Sequence, residues 1–139
     1  MPSSNQPNPE QVFRYYARLR RVRDHLLRNV SEPLSAEDAA QVAGLSPNYF
    51  STYFRQRVGI SYTAWAHGVR IELALEQMRV SDDGITEIAH RVGYRDLRTF
   101  ERAFKRHTSM TPRTFQHRVR PGSRAGGGRR LNTEPTTSA

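Results

Sequence analysis

The chain repeats itself. Slid along itself by 49 residues, it lays Ala36, Ala39, Ala40 and Ala43 on Ile85, Ile88, Ala89 and Val92, and Gly44 on Gly93. One extra residue then enters the later copy. At an offset of 50, Ser46 falls on Asp96, Phe50 on Phe100 and Phe54 on Phe104. In each copy the first four positions follow the i, i+3, i+4, i+7 spacing of a helix with one buried face. The glycine stands where such a helix stops, because it reaches φ > 0 without a Cβ clash. The Ser or Asp offers a side-chain oxygen that caps a new helix. Each copy is therefore expected to be two helices joined by a tight turn. Two copies fall short of the three that a solenoid needs.

The second helix of each copy carries the functional signal. At about 100° per residue, Phe100, Ala103 and Phe104 fall on one side, and Arg98, Glu101, Arg102 and Lys105 on the other. The matching positions in the first copy are Asn48, Ser51, Thr52 and Arg55. One side anchors and the other can reach a partner, the layout of a helix-turn-helix whose second helix enters the DNA major groove. A solvated surface helix shows the same charge pattern. The repetition of turn, cap, core and outer face together favours two linked reading units.

Composition narrows the partner. A net charge of +9 over 139 residues points to an anion, with nucleic acid first and a membrane surface second. The basic residues are almost all arginine, Lys105 being the only lysine. Arginine suits bidentate contacts to phosphate and guanine. With no cysteine there are no disulfides, thiol nucleophiles or cysteine-held zinc, which fits a reducing cytoplasm. No run of 18 apolar residues is present to span a membrane. Residues 1–10 lack an apolar signal core, so a cytoplasmic location is expected.

Residues 1–9 are polar and expected to be disordered. Glu10 to Asn29 is predicted as one helix with a seam of Val12, Tyr15, Leu19, Val22 and Leu26. A helix lying across the domain is preferred over a dimerising coiled coil, since two to three heptads are too few. Ser35 and Asp38 form a capping box for a helix to Val42. Ser46 and Pro47 open a helix to about Val58, which Gly59 stops. Ser61 opens a longer helix to about Val80, with Trp65, Val69, Ala74 and Met78 facing one side and Ile71 and Leu75 adjacent. Such a helix spans about 28 Å, against ~34 Å for one DNA turn. Thr111 and Pro112 start a last short helix anchored by Phe115. From about Pro121 the chain is too polar to fold. Arg118, Arg120, Arg124, Arg129 and Arg130 are expected to give this end a non-specific phosphate contact.

The chain carries the motifs I-T-E-I-A-x-x-V-G-Y-x-D from Ile85, T-F-x-R-x-F-K-R from Thr99 and M-T-P from Met110. To these add R-I-E-x-A from Arg70, L-S-P-N-Y-F from Leu45 and F-R-x-x-x-G from Phe54. Together they resemble the DNA-binding domain of the AraC/XylS family of bacterial transcription regulators, over about Arg20 to Arg118. The resemblance implies an all-α domain of about seven helices over residues 10–118. Its helix-turn-helix units would span about 35–59 and 84–109, joined by a linker helix at about 62–80, with 119–139 a disordered basic tail. It implies binding to an asymmetric double-stranded DNA site through the helices at 47–58 and 97–107, in adjacent major-groove segments. It also implies contact with RNA polymerase, and hence an activator. Ser109 stands where the family usually has glycine. Leu97 and Arg98 replace small or amide residues at the start of the second reading helix.

Residue by residue, Arg98 and Arg102 are expected to read guanine, with Leu97 beside them. Glu101 either accepts from cytosine or steadies Arg98 or Lys105 by i, i+3 and i, i+4 pairing. Asn48 suits adenine, flanked by Ser51 and Thr52. Arg55 and Lys105 are assigned to phosphate. The nearly neutral first face should discriminate less than the second. The competing readings are a helical protein-interaction module and a DNA binder without operator specificity. A membrane-surface role ranks lower, because the basic N-terminal helix is not a clean amphipath. Catalysis has no support. His25, His67, His90, His107 and His117 lack paired metal-ligand spacing, with His107 expected at the edge of the core. No phosphate loop or nucleophile elbow appears, and Asp82 and Asp83 sit in a polar loop. No catalytic residue, metal or cofactor is expected, and dimerisation through the N-terminal helix is not favoured.

Overall fold

Residues 8–120 are described by a computed structural model. They form eight helices and no strand: α1 (Pro9–Tyr15), α2 (Ala17–Arg28), α3 (Ala36–Ala43), α4 (Pro47–Val58), α5 (Tyr62–Val80), α6 (Ile85–Arg91), α7 (Leu97–Thr108) and α8 (Pro112–Val119). Local chemistry sets most of these boundaries. Ser35, Ser46, Ser61 and Thr111 each accept, at their hydroxyl oxygen, the backbone N–H three residues on, at 3.1, 3.4, 3.1 and 3.1 Å. Asp96 does the same for Thr99 at 3.0 Å.

The eighth helix arises because the segment 10–29 is not continuous. It breaks at Tyr16, whose backbone is extended (φ −104°, ψ 108°). The break turns Phe13 into the core, 5.1 Å from the Trp65 ring and 6.3 Å from Phe54. The guanidinium of Arg20 donates to the Arg14 carbonyl at 2.8 Å, satisfying an acceptor that the break exposes. The seam is corrected accordingly: Tyr15 is 82% exposed, and Phe13 is buried in its stead. Leu19, Val22 and Leu26 are buried inside the domain itself.

The interior consists of two clusters. The first gathers Phe13, Leu19, Val22, Leu26, Ala40, Ala43, Phe50 and Phe54 from α1–α4. The second gathers Ile88, Val92, Phe100 and Phe104 from α6, α7 and the turn between them, with Phe115 of α8 against it. Helix α5 serves both. Tyr62, Trp65 and Ala66 belong to the first cluster, and Ile71, Ala74, Leu75 and Met78 to the second. At about 100° per residue, these two sets lie on opposite sides of the helix. The expected single stripe of Trp65, Val69, Ala74 and Met78 is therefore two successive faces. The linker changes its buried side along its length because each end packs on a different unit.

Two further expectations change. Arg120 is buried, and its Nε donates to the Met78 carbonyl at 3.1 Å. It closes α8 onto α5 and is not presented to phosphate. His107 is exposed, with Nε2 2.8 Å from the Glu72 carboxylate, tying α7 to α5 instead of edging the core. The expectations for residues 1–7 and 121–139, including Arg124, Arg129 and Arg130, lie outside the described residues.

Ser109 ends α7 at φ 66°, the one non-glycine with positive φ among the described residues. Left-handed backbone costs a Cβ-bearing residue roughly 1–2 kcal/mol, partly offset by the greater unfolded-state freedom of glycine. Ser109→Gly is therefore expected to stabilise the domain by about 1 kcal/mol, or about 5 °C in Tm. A thermal melt showing no rise would mean that the turn carries no such strain.

Candidate nucleic-acid interface

The turn of each unit is built alike. Ala43 ends α3 and Val92, its equivalent in the repeat, caps the end of α6, and the glycine after each adopts φ 75° (Gly44) or 101° (Gly93). An arginine from a neighbouring helix donates to each of these two carbonyls: Arg18 of α2 to Ala43 at 2.7 Å, and Arg70 of α5 to Val92 at 2.8 Å. Sequence periodicity gave no hint of either arginine. The signal available was the pair of equivalent carbonyls, which a tight turn strips of helical partners. The second unit is further locked by Arg91, whose Nη1 donates to Asp83 Oδ2 at 2.7 Å and Gln77 Oε1 at 2.8 Å. That hydrogen bond holds the Asp83 carboxyl below the usual carboxylate range.

These braces leave the outer faces of α4 and α7 open. Leu97, Arg98, Glu101, Arg102 and Lys105 are all exposed on α7. They form one wall of an open groove of about 920 Å³, completed by the starts of α6 and α8. Its lining includes the cations Arg98, Arg102, Lys105, Arg106 and Arg113 against a single carboxylate, Glu101. Among the described residues, no ion pair joins Glu101 to Arg98 or Lys105, so the i, i+3 and i, i+4 pairing weighed for Glu101 is not formed. Asp96 anchors the start of this helix. Hydrogen bonds from the hydroxyl and amide of Thr99 hold its carboxyl below the usual range. Asn48, Ser51, Thr52 and Arg55 are exposed on α4. The sequence-predicted residues thus form two separate faces, one on each unit.

Behind the α7 face, His67 of α5 stacks on Tyr94 at 5.6 Å, with Nδ1 2.5 Å from the phenol oxygen. Burial pushes the Tyr94 hydroxyl up to about 12. Burial, then the charges of Arg70 and Arg106, lowers the His67 pKa. This pair supports the α6–α7 turn from inside. Among the described residues no three His, Cys, Asp or Glu side chains gather as a metal site. No described helix is long and apolar enough to cross a membrane.

A sequence-family model described as a helix-turn-helix domain matches residues 39–118, more than half of the chain. The chain belongs to the AraC family. It carries an AraC-type helix-turn-helix domain, and the relatives it matches are transcriptional regulators. It is similar to the regulatory protein PocR of Salmonella typhimurium, 32% identical over 95 residues, which cover 68% of this chain and 31% of PocR. The chain thus spans about a third of the length of this AraC-type relative. Among solved structures it is similar to the DNA-binding domain of AdpA, a global transcriptional factor held in complex with a target DNA. That likeness has a TM-score of 0.68 and 25% identity, and covers 72% of this chain and 90% of AdpA's. An AraC-type regulator from Chromobacterium violaceum shares the fold, with a TM-score of 0.65 and 24% identity over 76% of this chain and 96% of that one.

Proposed function

We propose that this domain reads an asymmetric DNA site in two adjacent major-groove segments. In this reading α7 is the principal reader, α4 the lesser one, and the site is where the protein positions RNA polymerase as a cytoplasmic activator. The observation that carries it is the contrast between two exposed helix faces on equivalent units. One holds Arg98, Arg102 and Lys105 in an open cationic groove, and the other holds Asn48, Ser51 and Thr52. Arg98 and Arg102 would take guanine O6 and N7, and Asn48 adenine. Glu101, free of its helix neighbours, would accept from cytosine N4. Leu97 would meet a thymine methyl, and Arg55 and Lys105 the phosphates.

Selection from a random duplex library at physiological salt tests this directly. The expected product is an asymmetric motif with two blocks about one helical turn apart. Arg98→Ala should cost ~1–3 kcal/mol and relax one position of the stronger block. Lys105→Ala should weaken all sequences alike and flatten the salt dependence. Enrichment of one block would leave α7 alone as the reader. Absence of any motif, with binding that merely tracks salt, would overturn sequence-specific reading.

A further inference from the structure

Among the described residues, α5 is the helix that contributes to both hydrophobic clusters. A single helix between two separately packed units can bend, so their mutual orientation needs a second constraint. Arg70 is placed to supply it. It is buried at the point where α5 switches faces, with Ala66 of the first cluster behind it and Ile71 of the second ahead. Its Nη1 donates to the Val30 carbonyl at 2.6 Å and its Nη2 to that of Glu32 at 2.9 Å, both in the lead-in to α3. The same Nη1 donates to the Val92 carbonyl in the turn of the second unit. The planar guanidinium thus joins both units through rigid backbone. Beside it, Arg95 of the second unit pairs with the Glu32 carboxylate of the first at 3.0 Å. The repeat supplies an internal comparison. Arg18, which clamps the equivalent turn, donates among the described residues to the carbonyls of Ala43 and Gly44, both in its own unit.

We propose that Arg70 is a positioning residue that fixes the two reading units relative to each other, and so sets the spacing between DNA blocks that the protein accepts. This rests on the two-block reading above. Two linked modules gain affinity only when both can engage at once, and the gain vanishes when geometry forbids it. A stiff link concentrates that gain at one spacing. A loosened link spreads it over several and lowers its maximum.

The test measures binding to three duplexes carrying the selected site: intact, with one block scrambled, and with one base pair inserted between the blocks. The insertion turns one block by ~34° relative to the other. For the unaltered chain it should weaken binding about tenfold. In Arg70→Met the intact site should bind more weakly and the insertion should cost less than about threefold, with affinity for the scrambled-block duplex unchanged. Arg18→Met should keep the full insertion penalty. Arg70→Lys, which retains the charge without the fork, should behave like Arg70→Met and serves if the latter does not fold. An undiminished insertion penalty in a folded Arg70 variant would overturn the role of Arg70 alone. No penalty in the unaltered chain would bring down the two-block reading, and this proposal with it.

Discussion

Gly93→Ala should destabilise the domain by about 3 kcal/mol or more, the sum of a left-handed backbone and a displaced guanidinium. Gly93 is buried at φ 101°, and a Cβ there would collide with the Arg70 guanidinium and lie 2.6 Å from the Val30 carbonyl. Backbone strain accounts for roughly 1–2 kcal/mol. The remainder comes from pushing Arg70 off buried carbonyls, at about 1–3 kcal/mol for each acceptor left unpaired. Gly44→Ala is the matched comparison. Its φ is 75° and its added Cβ would lie 3.0 Å from the end of the exposed Arg18 side chain, which can swing aside. It should lose little beyond the backbone contribution. Urea unfolding of both variants decides the matter. Equal losses would show that Arg70 yields as easily as Arg18 does.

The other large effect is expected at Phe104. Its ring is fully buried, 5.7 Å from Phe100 and 6.0 Å from Phe115. Phe104→Ala should cost about 3–5 kcal/mol, against a total stability of roughly 5–15 kcal/mol for an ordinary domain. The loss is functional as well. The cationic groove is bounded by α7 and the start of α8, and Phe104 is where these helices meet through Phe115. DNA affinity should therefore fall further than the unfolded fraction alone explains. A loss under about 2 kcal/mol would mean that the surrounding rings collapse into the space.

The turns, caps and outer faces were legible in the sequence because each depends on residues within a few positions of one another. Ser46, Asp96 and Thr111 act on amides three residues away, and Gly44 and Gly93 act at their own φ. The outer face of α7 was legible for a related reason, since Phe100 and Phe104 fix which side points inward. What was not legible depends on distant partners. Periodicity alone cannot show that α1 stops at Tyr16 so that Phe13 can reach Trp65. Nor can it show that α5 changes its buried side near Arg70, because apolar residues recur throughout that helix. Among the arginines the sequence shows only charge. Arg18, Arg70 and Arg120 are distinguished by the carbonyls they meet, which lie 22 to 42 positions away.

Those bonds have a consequence for how ionic strength acts on the molecule. The arginines that brace the fold donate chiefly to neutral backbone oxygens, several of them buried. Mobile ions screen a contact of that kind far less than they screen attraction between solvent-exposed charges. Association with a polyanion depends on displaced counterions and weakens steeply as salt rises. Concentrated salt can therefore strip the protein from its duplex while leaving its interior intact, so that release and refolding need never be coupled.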